Sequence, residues 1–195
     1  MGFGLLFLGY LFFLNLFNNY LLLPACVLLF WALCKLTPIN RPFAWAKYVL
    51  VPLGALGILA PLSALLSVRG GRAFDERLNS GLSIAALLLM LLFHWLLFEG
   101  IQRVAAETNL PQIRLRALRC RLLSALYFVC AVFLNLNYSE AQLPVVAKIS
   151  LVILLYGFFV MLSNLRLIYN CYMWICMPED IEMTPRVSRQ NRRPK

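Results

Sequence analysis

The most restrictive feature of this sequence is its series of long apolar segments with few or no charged side chains. The first charged residue is Lys35, so the segment 1–34 is uncharged. One unbroken helix over that segment would measure about 51 Å, whereas a helix of about 20 residues already crosses the roughly 30 Å of hydrocarbon in a bilayer. Because 62% of the 195 residues are apolar and only 13% are charged, a water-soluble surface is excluded. The sequence therefore predicts an integral membrane protein.

Further apolar segments of spanning or nearly spanning length are bounded by charge, proline or asparagine, and they are 47–68, 80–98, 122–138 and 145–170. Asparagines between positions 15 and 19 interrupt the first uncharged segment, and asparagine favours turns. They predict a hairpin of two short helices, 2–17 and 20–36. The alternative is one tilted helix, or one kinked at Pro24, which would give five spans. We expect an all-α, polytopic transmembrane helical bundle of six spans over residues 1–177.

The positions of the basic residues predict an orientation, because cytoplasmic loops carry excess Lys and Arg. With six spans, 13 of the 18 basic residues lie on one side and 4 on the other, while Arg166 stays within its helix near the inner interface. The first group is Lys35, Arg41, Lys47, Arg103, Arg114, Arg116, Arg119, Arg121, Arg186, Arg189, Arg192, Arg193 and Lys195, and the second is Arg69, Arg72, Arg77 and Lys148. We expect a cytoplasmic C-terminus, and also a cytoplasmic N-terminus if the hairpin forms.

The C-terminal residues 178–195 have the composition of a tail rather than of a span. The segment is acidic at 179–182 and basic from Arg186 onward, with few apolar residues, which predicts a cytoplasmic tail that is disordered or membrane-associated. The net charge of +10 would elsewhere suggest nucleic acid, but its positions here indicate membrane orientation instead. We therefore expect no nucleic-acid partner.

A second group of arginines surrounds an apolar helical stripe in the segment 112–121. The arginines are Arg114, Arg116, Arg119 and Arg121, and the stripe consists of Leu115, Leu118 and Leu122. This pattern suits the headgroup region of an anionic leaflet. It predicts contact with anionic lipid on the cytoplasmic side, or only the anchoring of the next span.

His94 is the only histidine, and it lies inside the span 80–98. An ionisable residue in a membrane span is a candidate site because its charged form is costly in lipid. The alternative is a neutral imidazole that bonds a neighbouring helix. His94 is thus a candidate ligand-binding or proton-linked residue, with a structural role as the alternative.

Several amides lie in or at the ends of the predicted spans, where they can bond neighbouring helices. Four of them fall near the outer face in the six-span arrangement, and they are Asn15, Asn18, Asn135 and Asn137. They predict either an outward-facing pocket for a small neutral ligand or ordinary turn and packing roles. Asn164 is a further amide, placed within the last span.

Catalytic and metal-binding patterns are missing from the sequence. The six cysteines have no recognised ligand or redox spacing, and one histidine with eight acids gives no catalytic triad. We therefore predict no catalytic residues, no metal site and no cofactor, and enzyme activity is the least supported class.

Two stretches at the ends of the chain carry a resemblance. They are the opening Met1-Gly2-Phe3-Gly4-Leu5-Leu6-Phe7-Leu8-Gly9-Tyr10 and the ending Ile175-Cys176-Met177-Pro178-Glu179-Asp180-Ile181-Glu182-Met183, with Ser188-Arg189 after it. Their sequence resembles uncharacterised multi-span membrane proteins of clostridial type bacteria. The resemblance implies an N-terminal apolar hairpin and a bacterial cytoplasmic membrane, and it brings no assigned activity.

The functional hypothesis that follows is a non-enzymatic membrane component, such as a scaffold or regulatory subunit, that acts through helix-helix or partner contacts. It depends on the lack of clustered charge within the spans. The alternative is a small-solute carrier or the substrate-binding membrane subunit of a transporter, which would need an enclosed polar pocket in the outer half.

Overall fold

The computed structural model describes residues 2–13, 22–67, 72–136 and 143–176, with side chains described for 2–13, 22–59, 80–136 and 148–175. The described residues fold into α-helices, which confirms the predicted all-α bundle. The helices are α1 Gly2–Phe13, α2 Leu22–Leu36, α3 Arg41–Ser67, α4 Arg72–Glu107, α5 Pro111–Leu136 and α6 Leu143–Cys171, and a π-helical turn, Tyr172–Cys176, continues α6.

The first two helices pack side by side as antiparallel neighbours. A Cβ added to Gly2 would lie 2.7 Å from the Leu36 side chain, and one added to Gly9 would lie 2.9 Å from that of Leu29. Because the start of α1 meets the end of α2, the two helices form the predicted hairpin and not one long helix. The glycines allow this close approach, since a side chain at either position would collide with α2.

Four helical segments are long and apolar enough to cross a membrane: Arg41–Leu59, Ser80–Glu107, Pro111–Leu136 and Lys148–Ile175. Their mean hydropathy lies between 1.5 and 2.3. The shorter apolar helices α1 and α2 have 12 and 15 residues. At 1.5 Å per residue they reach only about 18 and 22 Å.

Several helices extend beyond the apolar segments found in the sequence. α4 is already helical at Arg72, and α5 includes the arginine-rich segment 112–121 as its first turns. Polar side chains do not interrupt backbone hydrogen bonding, so the helices continue until a residue ends them. Asn109 ends α4 with a φ of 54°, in the left-handed region that asparagine tolerates. The Leu110 amide then donates to the Ala105 carbonyl at 2.9 Å, as in a Schellman cap.

The six helices alternate in direction and form a closed ring. Each helix packs against its neighbours in sequence, and α1 also packs against α6. α1 and α4 meet across the centre, where the rings of Phe13 and Phe93 stack with centroids 6.2 Å apart. The starts of α1, α3 and α5 and the ends of α2, α4 and α6 therefore share one end of the bundle, here called the basic end. Among its residues are Lys35, Arg41 and Arg114.

Candidate functional site

A cleft between α5 and α6 at the basic end contains the main group of arginines without carboxylate partners. This cleft, the arginine groove, has a volume of about 260 Å³. It is lined by Arg116, Arg119, Cys120 and Leu123 of α5 and by Phe159, Ser163, Arg166, Leu167 and Asn170 of α6. A second cavity of about 430 Å³ shares Arg116 and Asn170 with the groove and reaches Gln112 and Trp174. The two cavities form a continuous basic cleft.

Two hydrogen bonds fix the spacing between the walls of the groove. Cys120 Sγ donates to the Ser163 carbonyl at 3.8 Å, and the Tyr156 hydroxyl donates to the Leu123 carbonyl at 3.1 Å. Both bonds join a side chain of one helix to the backbone of the other. The two walls are therefore held together below the arginines.

The charges of the groove are not neutralised by the described side chains. The one ion pair among those side chains joins Arg103 and Glu99, at 2.5 Å on the surface of α4. Arg116, Arg119 and Arg166 bond no carboxylate in the part of the chain that the structure describes. Three arginines thus line the cleft without a carboxylate partner among the described side chains.

The four arginines that the sequence indicated as lipid contacts separate into two sets. Arg116 and Arg119 line the groove, whereas Arg114 lies outside it, and all three side chains are exposed. The guanidinium of Arg121 lies 4.4 Å from the centre of the Trp95 ring, a cation-π contact with α4. Arg166 completes the groove from α6, and sequence reasoning did not select it.

A second group of polar side chains lies in the centre of the bundle. This polar network consists of Tyr10, His94, Ser124 and Asn164, one each from α1, α4, α5 and α6, all buried. The Tyr10 oxygen is 2.8 Å from His94 Nε2 and accepts from Asn164 Nδ2 at 2.8 Å. Asn164 Nδ2 also donates to Ser124 Oγ at 2.9 Å. The network therefore connects four helices through side chains alone.

The backbone determines the tautomer of His94. Its Nδ1 lies 2.8 Å from the Met90 carbonyl oxygen, which can only accept, so Nδ1 carries the hydrogen. Nε2 lies 2.8 Å from the Tyr10 oxygen. Aromatic rings surround the imidazole, with the Phe128 and Phe93 centroids at 5.0 and 5.4 Å. Both ring nitrogens of His94 thus have partners, and the side chain is buried among aromatic rings.

One of the four asparagines predicted to line an outer pocket lies among the described residues. Asn135 lies near the end of α5, where its Nδ2 donates to Ser83 Oγ at 3.3 Å and its Oδ1 accepts from Ser80 Oγ at 3.5 Å. Asn15, Asn18 and Asn137 lie outside the described residues. His94 bonds other partners, so the described chain does not bring His94 and Asn135 into one site.

The described residues contain no group of three His, Cys, Asp or Glu side chains that could hold a metal ion. The cysteines among the described side chains form no disulfide, whether buried, as Cys26 and Cys171 are, or exposed, as Cys34 is.

Tyr10 and Ser124 were not identified by sequence reasoning. A tyrosine and a serine in apolar helices are common, and their shared contact appears only when four helices are packed. Besides His94, Asn164 was the network residue that the sequence could indicate, because it is an amide within a predicted span.

Comparison of the chain with protein-family models, with curated proteins and with solved structures finds no match.

Proposed function

We propose that this chain is a non-enzymatic, multi-pass component of a bacterial cytoplasmic membrane that acts through contacts with a partner membrane protein. Its basic end faces the cytoplasm and contacts anionic lipid headgroups. The observation that carries the proposal is the polar network. Its four side chains bond one another across four helices, so the interior groups most suited to chemistry already serve to hold the bundle together.

The outward faces of the helices support a role in contacts within the membrane. α6 exposes a row of large apolar side chains, among them Leu151, Leu155, Phe158 and Leu162. Such a face is compatible with lipid and with the face of another helix, because neither supplies water to hydrogen-bond polar groups. A partner helix on this face would add packing without rearranging the bundle.

Aromatic and basic side chains at the basic end support the orientation. Trp31, Trp45 and Tyr48 are exposed there, as expected of an interfacial belt. The Lys35 ammonium lies 5.4 Å from the Trp31 ring centre, and that of Lys47 lies 5.3 Å from the Tyr48 ring centre. An excess of Lys and Arg favours the cytoplasmic side. The resemblance of the two chain ends to clostridial type membrane proteins supports a bacterial membrane.

The partner contact is tested by photo-crosslinking in intact membranes. A photoreactive residue at Phe158, on the exposed face of α6, should give a defined adduct with a second membrane protein. The same residue at Phe128, which is buried, is the matched control and should give none. If the Phe158 position yields only lipid adducts and the protein is extracted gently as a monomer, the partner proposal fails.

The orientation is tested separately by cysteine labelling from outside the cell. Ser139→Cys should react with an impermeant thiol reagent, and Asn191→Cys should stay protected until the membrane is opened. The wild-type chain defines the signal from the native cysteines. Protection at 139 with reaction at 191 would reverse the proposed topology.

A small-solute carrier is the second candidate, and one observation favours it. Asn135 bonds Ser80 and Ser83 at the end of the bundle opposite the basic end, which leaves neutral polar groups near the outer surface. Under this alternative, native mass spectrometry of gently extracted protein should find a small ligand that Asn135→Ala and Asn137→Ala lose. Recovery of ligand-free wild-type protein, with no solute that raises its unfolding temperature, would eliminate the carrier.

A further inference from the structure

We infer that the arginine groove is a specific binding site for the phosphate of an anionic phospholipid, with an acyl chain of that lipid along the apolar end of the same groove. The inference rests on the proposed function only in placing the basic end at a membrane surface. It goes further because it assigns one lipid to one cleft, and because it requires Arg166 of α6.

The charge of the groove determines the class of ligand. A guanidinium has five donors and accepts no hydrogen bonds, so three of them together favour acceptor oxygens that carry negative charge. Arg116, Arg119 and Arg166 supply three positive charges, and no described carboxylate bonds them. Phosphate oxygens match the planar donor geometry of arginine and accept from it in pairs. A phosphate group therefore satisfies the groove better than a neutral ligand would.

The two walls change from polar to apolar in the same direction. Along α5 the lining proceeds from Arg116 and Arg119 to Leu123, towards the middle of the membrane. Along the antiparallel α6 it proceeds from Arg166 past Ser163 to Phe159. Polar groups thus lie at the surface and apolar groups lie deeper, which is the polarity of a phospholipid from headgroup to chain. A free phosphate ion would leave the apolar part without a ligand.

The size of the cleft suits a headgroup larger than a single phosphate. The groove of about 260 Å³ adjoins the cavity of about 430 Å³, and the two share Arg116 and Asn170 in their linings. Trp174 lines the far side of that cavity. Basic pockets between membrane helices at the cytoplasmic side bind lipids with several negative charges. With three positive charges available, a lipid that carries two phosphates should bind more tightly than one that carries a single phosphate.

The experiment measures lipid retention by native mass spectrometry of the full chain in detergent. Cardiolipin, phosphatidylglycerol, phosphatidylcholine and inorganic phosphate are added separately. We expect one bound lipid per chain, with cardiolipin retained better than phosphatidylglycerol and phosphatidylcholine retained least. Arg119→Gln and Arg166→Gln should each reduce cardiolipin retention by at least about tenfold, because each removes charge-assisted hydrogen bonds to the phosphate.

Arg114→Gln is the matched control. It removes the same charge from the same end of α5, but it lies outside the groove, so retention should change by less than about twofold. Arg166→Lys keeps the charge and should restore part of the retention, which separates lipid binding from a folding defect. If Arg166→Gln does not fold, the comparison of Arg119→Gln with Arg114→Gln decides the matter.

Three results would overturn the inference. Equal loss in Arg114→Gln and Arg166→Gln would mean a diffuse basic surface without a site. Retention of inorganic phosphate at the same level as lipid, lost in the same variants, would mean a site for a soluble anion. Lipid binding that appears only after Glu179, Asp180 and Glu182 are changed to glutamine would mean that the chain's own acidic segment occupies the groove. None of these results affects the labelling at 139 and 191, so a wrong inference is distinguishable from a wrong orientation.

Discussion

The polar network and the arginine groove lie on the same pair of helices, α5 and α6, and they satisfy their polar groups in different ways. In the network, Asn164 donates to both Tyr10 and Ser124, and the Tyr10 hydroxyl lies against His94. In the groove, which lies closer to the basic end, Arg119 and Arg166 line a cleft without carboxylate partners among the described side chains. The side chains of the first region bond one another, with Asn164 Oδ1 left buried and without a partner among the described residues, and the second region is open to the surface.

This difference separates structural polar groups from binding groups. A buried polar atom that finds a partner on a neighbouring helix contributes to holding the helices together, because lipid offers no alternative partner. A charged group at the interface that lacks a partner still needs one, from water, from lipid or from another molecule. Substitutions in the network should therefore lower the free energy of unfolding and leave lipid binding unchanged. Substitutions in the groove should reduce lipid binding and leave the free energy of unfolding unchanged.

The largest expected effect is that of Tyr10→Ala. Tyr10 is fully buried and contacts His94, Asn164 and Met161, so the substitution removes an aromatic ring and the centre of the network. We expect a loss of about 3–5 kcal/mol in the free energy of unfolding, as for other buried aromatic residues. Unfolding in detergent by increasing denaturant measures this loss. Leu8→Ala, at an exposed position of the same helix, is the control, and an equal loss there would remove the special role of the network.

A smaller effect is expected of Gly9→Ala, which tests whether the α1-α2 hairpin holds Tyr10 in place. The added Cβ would lie 2.9 Å from Leu29 Cγ and 3.1 Å from the Leu29 backbone nitrogen, so α1 must move away from α2. We expect a cost of about 1–3 kcal/mol, as for other overpacked sites. Gly81→Ala has nothing within 4 Å of the added Cβ and should be neutral or stabilising. Equal changes in the free energy of unfolding for the two variants would argue against close packing of the hairpin.

The smallest effect is expected of Arg103→Gln, which compares a paired arginine with the unpaired arginines of the groove. Arg103 is bonded to Glu99 on the exposed surface of α4. Its removal should change the free energy of unfolding by less than about 0.5 kcal/mol, because exposed ion pairs contribute little. Cardiolipin retention should also stay near the wild-type level. A large loss of retention would show that lipid binding depends on total charge and not on the groove.

The sequence predicted the architecture well, since long apolar segments and helix-ending residues are local signals. The hairpin followed from asparagines within an uncharged segment. The end of α4 lies at Asn109, a turn-favouring residue that adopts the left-handed conformation. The extent of the helices was less predictable. α4 and α5 extend past their apolar segments because polar residues continue a helix until a turn residue interrupts it.

The sites were predictable only where a residue was unusual for its surroundings. His94 and Asn164 were noticeable as polar groups inside apolar spans, and both belong to the network. Tyr10 and Ser124 carried no such signal, because their importance comes from packing between distant segments. Arg166 likewise joins Arg116 and Arg119 only through the antiparallel pairing of α5 and α6.

The most direct test of this difference between the two regions is one thermal unfolding experiment on Asn164→Leu and Arg166→Gln, with and without cardiolipin. A ligand that binds only the folded state raises the unfolding temperature, and the increase grows with the ratio of its concentration to its Kd. We predict that Asn164→Leu unfolds at a lower temperature than wild type and keeps the full increase caused by lipid. Arg166→Gln should unfold at the wild-type temperature without lipid and lose most of the increase. If Arg166→Gln keeps the increase, or if Asn164→Leu loses it, the division between a structural network and a binding groove is wrong.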